Sequence, residues 1–113
     1  MSDFKEIIDK ILEFRDKRDW KQFHNPKDLA INLNIESSEL LELFLWKNGD
    51  DINNEVNIDK IKDELADVLH SAFLLVEHYG FDMKEIILNK LEKIELKYPV
   101  EKSKGSNKKY DEL

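Results

Sequence analysis

Cysteine is absent from the 113-residue chain, which can therefore hold no disulfide framework, no thiolate metal site and no cysteine nucleophile. Glycine and proline are scarce, at three and two, and that composition favours helices. No apolar run approaches the ~18 residues of a membrane span. The first residues also lack a basic segment followed by an apolar one. The expectation is a soluble, cytoplasmic protein with no membrane partner. Positive charge is in deficit too. Lys and Arg number 18 against 25 Asp and Glu, a net charge of −7, which argues against a surface for nucleic-acid polymers. What remains is a chain 38% charged and 41% hydrophobic, long enough for one domain with a real core and too short for two.

The acids are not spread evenly. Glu36-Ser-Ser-Glu39 and Glu64-Leu-Ala-Asp67 each place two carboxylates three residues apart, one above the other on a helix face. Leu33 and Leu40 flank Glu36 at helical spacing, and Ile61 and Val68 flank Glu64. A helix that needs only solubility keeps its acids opposite the apolar stripe, not inside it. A single ExxE in so charged a chain is ordinarily a solvated face; two pairs, both interrupting apolar stripes, favour a site. Four carboxylates in a half-buried place repel one another and resist desolvation. A hard divalent cation resolves that conflict, and Mg²⁺, with Mn²⁺ as a substitute, suits a site that also holds phosphates. Without these four acids the net charge is −7 + 4 = −3, so an anionic substrate would arrive with its own metal.

Apolar periods predict four helices. The first starts with Asp3 as N-cap and Glu6 as its capping-box partner. It buries Phe4, Ile7, Ile8, Ile11, Leu12 and Phe14 and ends near Arg18 or Asp19. The stretch from Arg18 to Asn25 has no clean period and holds Trp20, Phe23 and His24; such a loop serves a binding site or plugs the core. The second helix opens on Asn25-Pro26 and is read to about Lys47, halted by Asn48-Gly49. On it Leu29, Leu33, Leu40 and Leu43 share a face with Glu36, and Trp46, seven after Glu39, stands on the acid side. Asp50 to Asn57 reads as a polar linker.

The third helix spans Ile58 to Tyr79, closed by Gly80, and its centre from Leu65 to Val76 is apolar almost all round. Four helices of one chain can hardly cover it, so a homo-oligomer is expected, a homodimer or homotetramer. The fourth helix has Asp82 as N-cap and Glu85 as partner, with Ile86, Ile87, Leu91 and Ile94 packing inward. Lys90, Lys93 and Lys97 make a basic strip along it, and Pro99 ends it. Residues 1–99 form the helical domain, and by composition 100–113 is a disordered tail.

The pattern ExxE, 24 residues, ExxD on an all-helical chain resembles the MazG-type nucleotide pyrophosphohydrolases. Phe14 to His24, Glu42 to Lys47, Lys97-Tyr98-Pro99 and Lys108 to Leu113 are similar to the dCTP pyrophosphatase branch of that family. The resemblance implies an all-α, four-helix-bundle-like fold that oligomerises, with sites near subunit contacts. It also implies Mg²⁺-dependent cleavage of a nucleoside triphosphate, dCTP or a modified pyrimidine deoxynucleotide, to the monophosphate and pyrophosphate. By position it makes Glu36, Glu39, Glu64 and Asp67 the metal ligands, and Trp20 and Trp46 the aromatics that enclose the base. Lys90, Tyr98, Lys109 and Tyr110 go to holding phosphates or closing the site, and His24 and Lys93 join the substrate-binding set. With Lys108 beside them, Lys109 and Tyr110 suit a tail that closes as a lid on a filled site. Glu39 is the expected carboxylate to orient or deprotonate an attacking water. Two positions depart from the pattern: Ile94 where K-x-x-x-N-x-x-x-Y-P has Asn, and Ser71 where close relatives carry Tyr.

Three other readings compete. Phosphoribosyl-ATP pyrophosphohydrolases carry similar helical acids, but the Trp20 and Trp46 pair disfavours them. A di-iron carboxylate bundle would use His70, three after Asp67, yet needs Glu-x-x-His on each of two helices. His70 therefore reads as a packed or interfacial histidine. A non-catalytic helical interaction module explains the stripes and not the acids inside them.

Overall fold

A computed structural model gives the fold, with residues 3–48 and 56–113 described. The helices are α1 (Asp3–Lys17), α2 (Pro26–Glu42), α3 (Ile58–Tyr79), α4 (Met83–Lys97) and the short α5 (Val100–Ser103). Single 3₁₀ turns lie at Lys21–Phe23 and Tyr110–Glu112, and there is no strand among the described residues.

Local chemistry sets most boundaries. Asn25 accepts from the Asp28 backbone N–H, with Pro26 at the first helical position of α2. Asn57 accepts from the N–H groups of Asp59 and Lys60 at the start of α3, and Gly80 closes that helix at φ 67°, where the lack of a Cβ removes the cost. Asp82 accepts from the Glu85 N–H at 2.9 Å and opens α4. The end of α1 is less usual. Asp19 takes the left-handed conformation at φ 54°; its N–H donates to the Asp16 carbonyl, and the Trp20 N–H reaches back to the Arg15 carbonyl. This double bond pattern reverses the chain direction. It folds Trp20 onto Phe14, with ring centroids 5.8 Å apart and edge to face.

Contacts divide the chain into two compact units, Met1–Gly80 and Phe81–Leu113. In the first, α3 packs along α2 and also meets α1. Leu29, Val56, Phe73 and Leu74 are its buried apolar residues. Asn32 donates to the Ser71 hydroxyl at 2.8 Å, and Ser71 is 3% exposed, so this departure from the family pattern is a hydroxyl matched to an amide between two helices. Residues rising in number along α2 meet residues falling along α3, 32 against 71 and then 36 and 39 against 64 and 67. The pair is antiparallel.

Four expectations need correction. α2 stops at Glu42 and not near Lys47: from Leu43 the backbone bonds tighten to three-residue spacing, and Trp46 has left-handed φ 62°. The expected stop at Gly49 and the linker from Asp50 to Glu55 lie outside the described residues. In α1, Phe4, Ile7 and Phe14 keep more than two-fifths of their surface, and no residue of the helix is fully buried. Ile86, Ile87, Leu91 and Ile94 do not pack inward either; they line an open apolar groove on α4 beside Lys90, and Ile94 extends that groove where the family has Asn. The tail, finally, has structure of its own. The Ser103 hydroxyl donates to the Pro99 carbonyl at 2.7 Å, and the Tyr110 N–H donates to the Tyr98 phenol oxygen at 3.1 Å. Charge-rich composition hides these few specific partners.

Candidate functional site

The two acid pairs come together. One carboxylate oxygen from each of Glu36, Glu39, Glu64 and Asp67 lies within 4.8 Å of the others. Antiparallel packing is the cause: an i,i+3 pair on α2 faces an i,i+3 pair on α3. Glu36 and Glu64 are half-buried and Asp67 is exposed. Oε2 of Glu36 and Oε2 of Glu64 are buried without any hydrogen-bond partner. Burial first, then the carboxylates of Glu39 and Asp67, push the Glu36 carboxyl above its ordinary value. Burial and the same two neighbours raise Glu64. Orphaned buried oxygens cost free energy unless something binds them, and here the site also collects negative charge.

The donor set fits a hard divalent cation. It is all oxygen, and oxygens opposite one another around Mg²⁺ stand about 4 Å apart. The observed spread of 4.8 Å therefore needs only a small contraction. Among the described residues no histidine joins the cluster. His70 instead meets the Phe14 ring edge-on at 6.4 Å, which agrees with a packed histidine and removes the ligand that a di-iron reading would need.

A cavity of about 270 Å³ lies beside the acids, lined by Phe14, Arg15, Trp20, Phe23, His24, Asp28, Leu29, Asn32, His70 and Leu74. Asn32 is four residues before Glu36, and His70 three after Asp67. On both helices the cavity is thus about one turn, roughly 5–6 Å, from the acids. Trp20 and Phe14 form its aromatic wall, and the Arg18 guanidinium stacks on the outer ring, 3.6 Å from the Phe14 centroid. His24 has a buried Nδ1 without a partner. Burial, then the Arg15 charge, holds His24 below its ordinary value, so the neutral ring is favoured. Arg15 itself is engaged by Asp16 at 2.8 Å, and Asp28 by Asn25 at 2.7 Å.

The other expected site residues fall elsewhere. Trp46 is 92% exposed and stands beyond the end of α2, so the helical spacing that set it beside Glu39 does not apply. In the second unit, Tyr98 and Tyr110 meet edge to face at 6.1 Å, and the Lys97 ammonium lies 4.8 Å over the Tyr110 ring. Lys90 borders the apolar groove of α4, and Lys93 and Lys109 are exposed. Sequence reasoning missed Asn32, an exposed residue three after Leu29 and four before Glu36 on the same helix face.

An all-helical fold with a carboxylate cluster that could hold a metal ion between two antiparallel helices, and an aromatic cavity one turn away, defines a class of helical carboxylate site. The chain belongs to the MazG-like family, whose pattern matches residues 31–113. It is similar to dCTP pyrophosphatase 1 of Mus musculus, 35% identical over 105 residues, covering 89% of this chain and 62% of that protein. The Homo sapiens protein of the same name is 33% identical over the same coverage. The chain thus spans less than two thirds of the length of these curated relatives. A crystal structure of a pyrophosphatase from Archaeoglobus fulgidus superposes with a TM-score of 0.82 at 37% identity, covering 88% of this chain and 94% of that one. Among the described residues, no helix is long and apolar enough to cross a membrane.

Proposed function

We propose that the chain is a Mg²⁺-dependent nucleoside triphosphate pyrophosphohydrolase, acting on dCTP or a modified pyrimidine deoxynucleotide and releasing the monophosphate and pyrophosphate. The observation that carries this reading is the four-oxygen cluster with two buried, unpartnered carboxylate oxygens. Glu36, Glu39, Glu64 and Asp67 would hold the cation. When bound, Mg²⁺ supplies charge neutralisation to phosphate oxygens and acidity to water at neutral pH. Glu39 orients the attacking water and takes its proton as the new P–O bond forms and the anhydride bond to pyrophosphate breaks. Pyrophosphate leaves as an anion, so no protein nucleophile is required. Trp20 stacks on the base, a contact every base can make, with Trp46 as the second aromatic. Lys90, Lys93, Tyr98, Lys109 and Tyr110 serve the phosphates or close the site, with 100–113 as the lid.

A nucleotide panel with Mg²⁺ that resolves pyrophosphate from orthophosphate tests the reaction. Pyrophosphate release abolished by excess chelator is expected; orthophosphate as the product, or full activity in chelator, would overturn it. The enzyme works as a homo-oligomer in the cytoplasm. Support for the assembly comes from the open α4 groove and from Leu65 and Leu69 on α3, which are 45% and 51% exposed. Light scattering should show more than one copy at micromolar concentration. Truncation after Gly105 should raise KM or lower kcat severalfold and barely move the ligand-free Tm, because a closing segment orders at the expense of binding free energy. Unchanged constants would remove the lid.

A further inference from the structure

Besides His70, whose ring packs edge-on against Phe14, four polar side chains border the aromatic cavity: Arg15, Asp28, His24 and Asn32. The first two are engaged by neighbours, Arg15 by Asp16 and Asp28 by Asn25. His24 offers one ring nitrogen. Asn32 is different in kind, because a carboxamide carries two N–H donors and an acceptor. One N–H of Asn32 goes to the Ser71 hydroxyl at 2.8 Å. The other N–H and the oxygen remain for a ligand, at a wall of a cavity whose remaining lining includes Phe14, Trp20, Phe23, Leu29, His70 and Leu74. Ser71 is 3% exposed, so this bond is shielded from water, and with the amide nitrogen as its donor the Asn32 oxygen is left for another partner. Stacking against aromatic rings accepts any base; discrimination has to come from an edge.

We infer that Asn32 is the specificity-determining residue of this cavity, and that it selects bases presenting a ring-nitrogen acceptor beside an exocyclic amine. Ser71 is a positioning residue, acting through Asn32. The inference rests on the proposed nucleotide chemistry and deepens it. An amide held with donor and acceptor in fixed order pairs in two-point fashion with the acceptor–donor edge of cytosine or adenine. Against the 4-oxo edge of uracil or thymine, the same amide sets donor against donor and acceptor against acceptor. An unmatched polar pair in a half-buried cavity is costly, and a site built to hydrogen-bond one edge rejects the other far more strongly than an apolar pocket does. The neighbouring His24 has its Nδ1 buried without a partner, and burial followed by the Arg15 charge works against a charge on its ring.

The test is calorimetric binding of dCMP, dUMP and dAMP to the full chain, alongside kcat/KM for the matching triphosphates with Mg²⁺. Wild type should favour the amino base over the oxo base, and the dCMP and dAMP arms separate pyrimidine from purine. Asn32→Ala should reduce the dCMP to dUMP preference by about tenfold or more. Ser71→Ala should reduce the same ratio in the same direction by a smaller factor, a change that lost stability alone would not produce. Asn32→Asp, which removes both donors, should lose the preference while keeping the volume, and serves if the alanine variant folds poorly. A wild type that hydrolyses nucleotides to pyrophosphate but shows the same base ratios in all three variants overturns this inference and leaves the proposed reaction standing. A wild type that releases no pyrophosphate but binds dCMP over dUMP, with the preference lost in Asn32→Ala, overturns the reaction and keeps the inference.

Discussion

The acid cluster and the aromatic cavity share α2 and α3, one turn apart, with α1 and the segment after it completing the cavity, and they are electrical opposites. At the cluster, burial and neighbouring carboxylates work against negative charge on Glu36 and Glu64. At the cavity, burial and the Arg15 charge work against positive charge on His24. Each region is strained by what its own residues would carry in water. On the proposed function, a cation would relieve the cluster and a flat, uncharged ring with a hydrogen-bonding edge would fill the cavity. A nucleoside triphosphate with its metal supplies both relief groups within one molecule. That pairing, more than either region alone, is why the two sites belong together.

Asp67→Asn breaks the cluster half and carries the largest expected effect. Turnover should fall on the order of 10²–10³-fold or more, the scale on which removing one pre-placed electrostatic group slows a reaction. The metal-free fold should hold or gain stability, because the Asp67 charge is one of the terms that disfavour Glu36 and Glu64. Melting in chelator checks the second claim. A variant that melts well below wild type would make the acids structural. Trp20→Ala acts on the other half. Loss of one base–aromatic stack is worth about 1–3 kcal/mol, roughly ten- to a hundredfold in KM, with a smaller change in kcat. If kcat and KM both stay put, the cavity does not hold the base.

The cluster was largely legible in the chain and the cavity was not, for physical reasons. Glu36 and Glu64 stand out because they break a helical period, and α3 was bounded by Asn57 and Gly80, whose cap chemistry is local. Antiparallel packing of α2 on α3 then lets the two stripes meet with their acid pairs face to face. The cavity depends on long-range facts. Trp20 faces inward because Asp19 adopts a left-handed turn, which a charged residue in a loop does not advertise. Asn32 looks like any polar residue on a helix until Ser71, 39 positions away, is found against it. Trp46 is the reverse case: the helical period that sets it beside Glu39 stops at Glu42. The apolar stripe that holds Ile86 and Leu91 is real, but a stripe says nothing about what covers it.

The smallest effect is the sharpest test of opposition between the regions, because it concerns sign. Glu36 is raised above 4.5, so between 4.5 and its raised value the folded chain binds more protons than the unfolded one. Stability then falls as pH rises through that window. His24 is lowered below 6.5, so between its lowered value and 6.5 the unfolded chain binds more protons, and stability rises with pH. In metal-free wild type the two slopes are therefore of opposite sign, the falling one starting at 4.5 and the rising one ending at 6.5. Glu36→Gln deletes the falling contribution, so the plot of Tm against pH should tilt upward relative to wild type. His24→Asn deletes the rising contribution and should tilt it downward. Both tilts are small, since each group is partly solvated and solvent screens such terms. Melting curves in chelator at several pH values across the interval measure them. Tilts of the same sign would mean that the cluster and the cavity share one electrostatic environment, and the division of labour between cation and base would lose its physical basis.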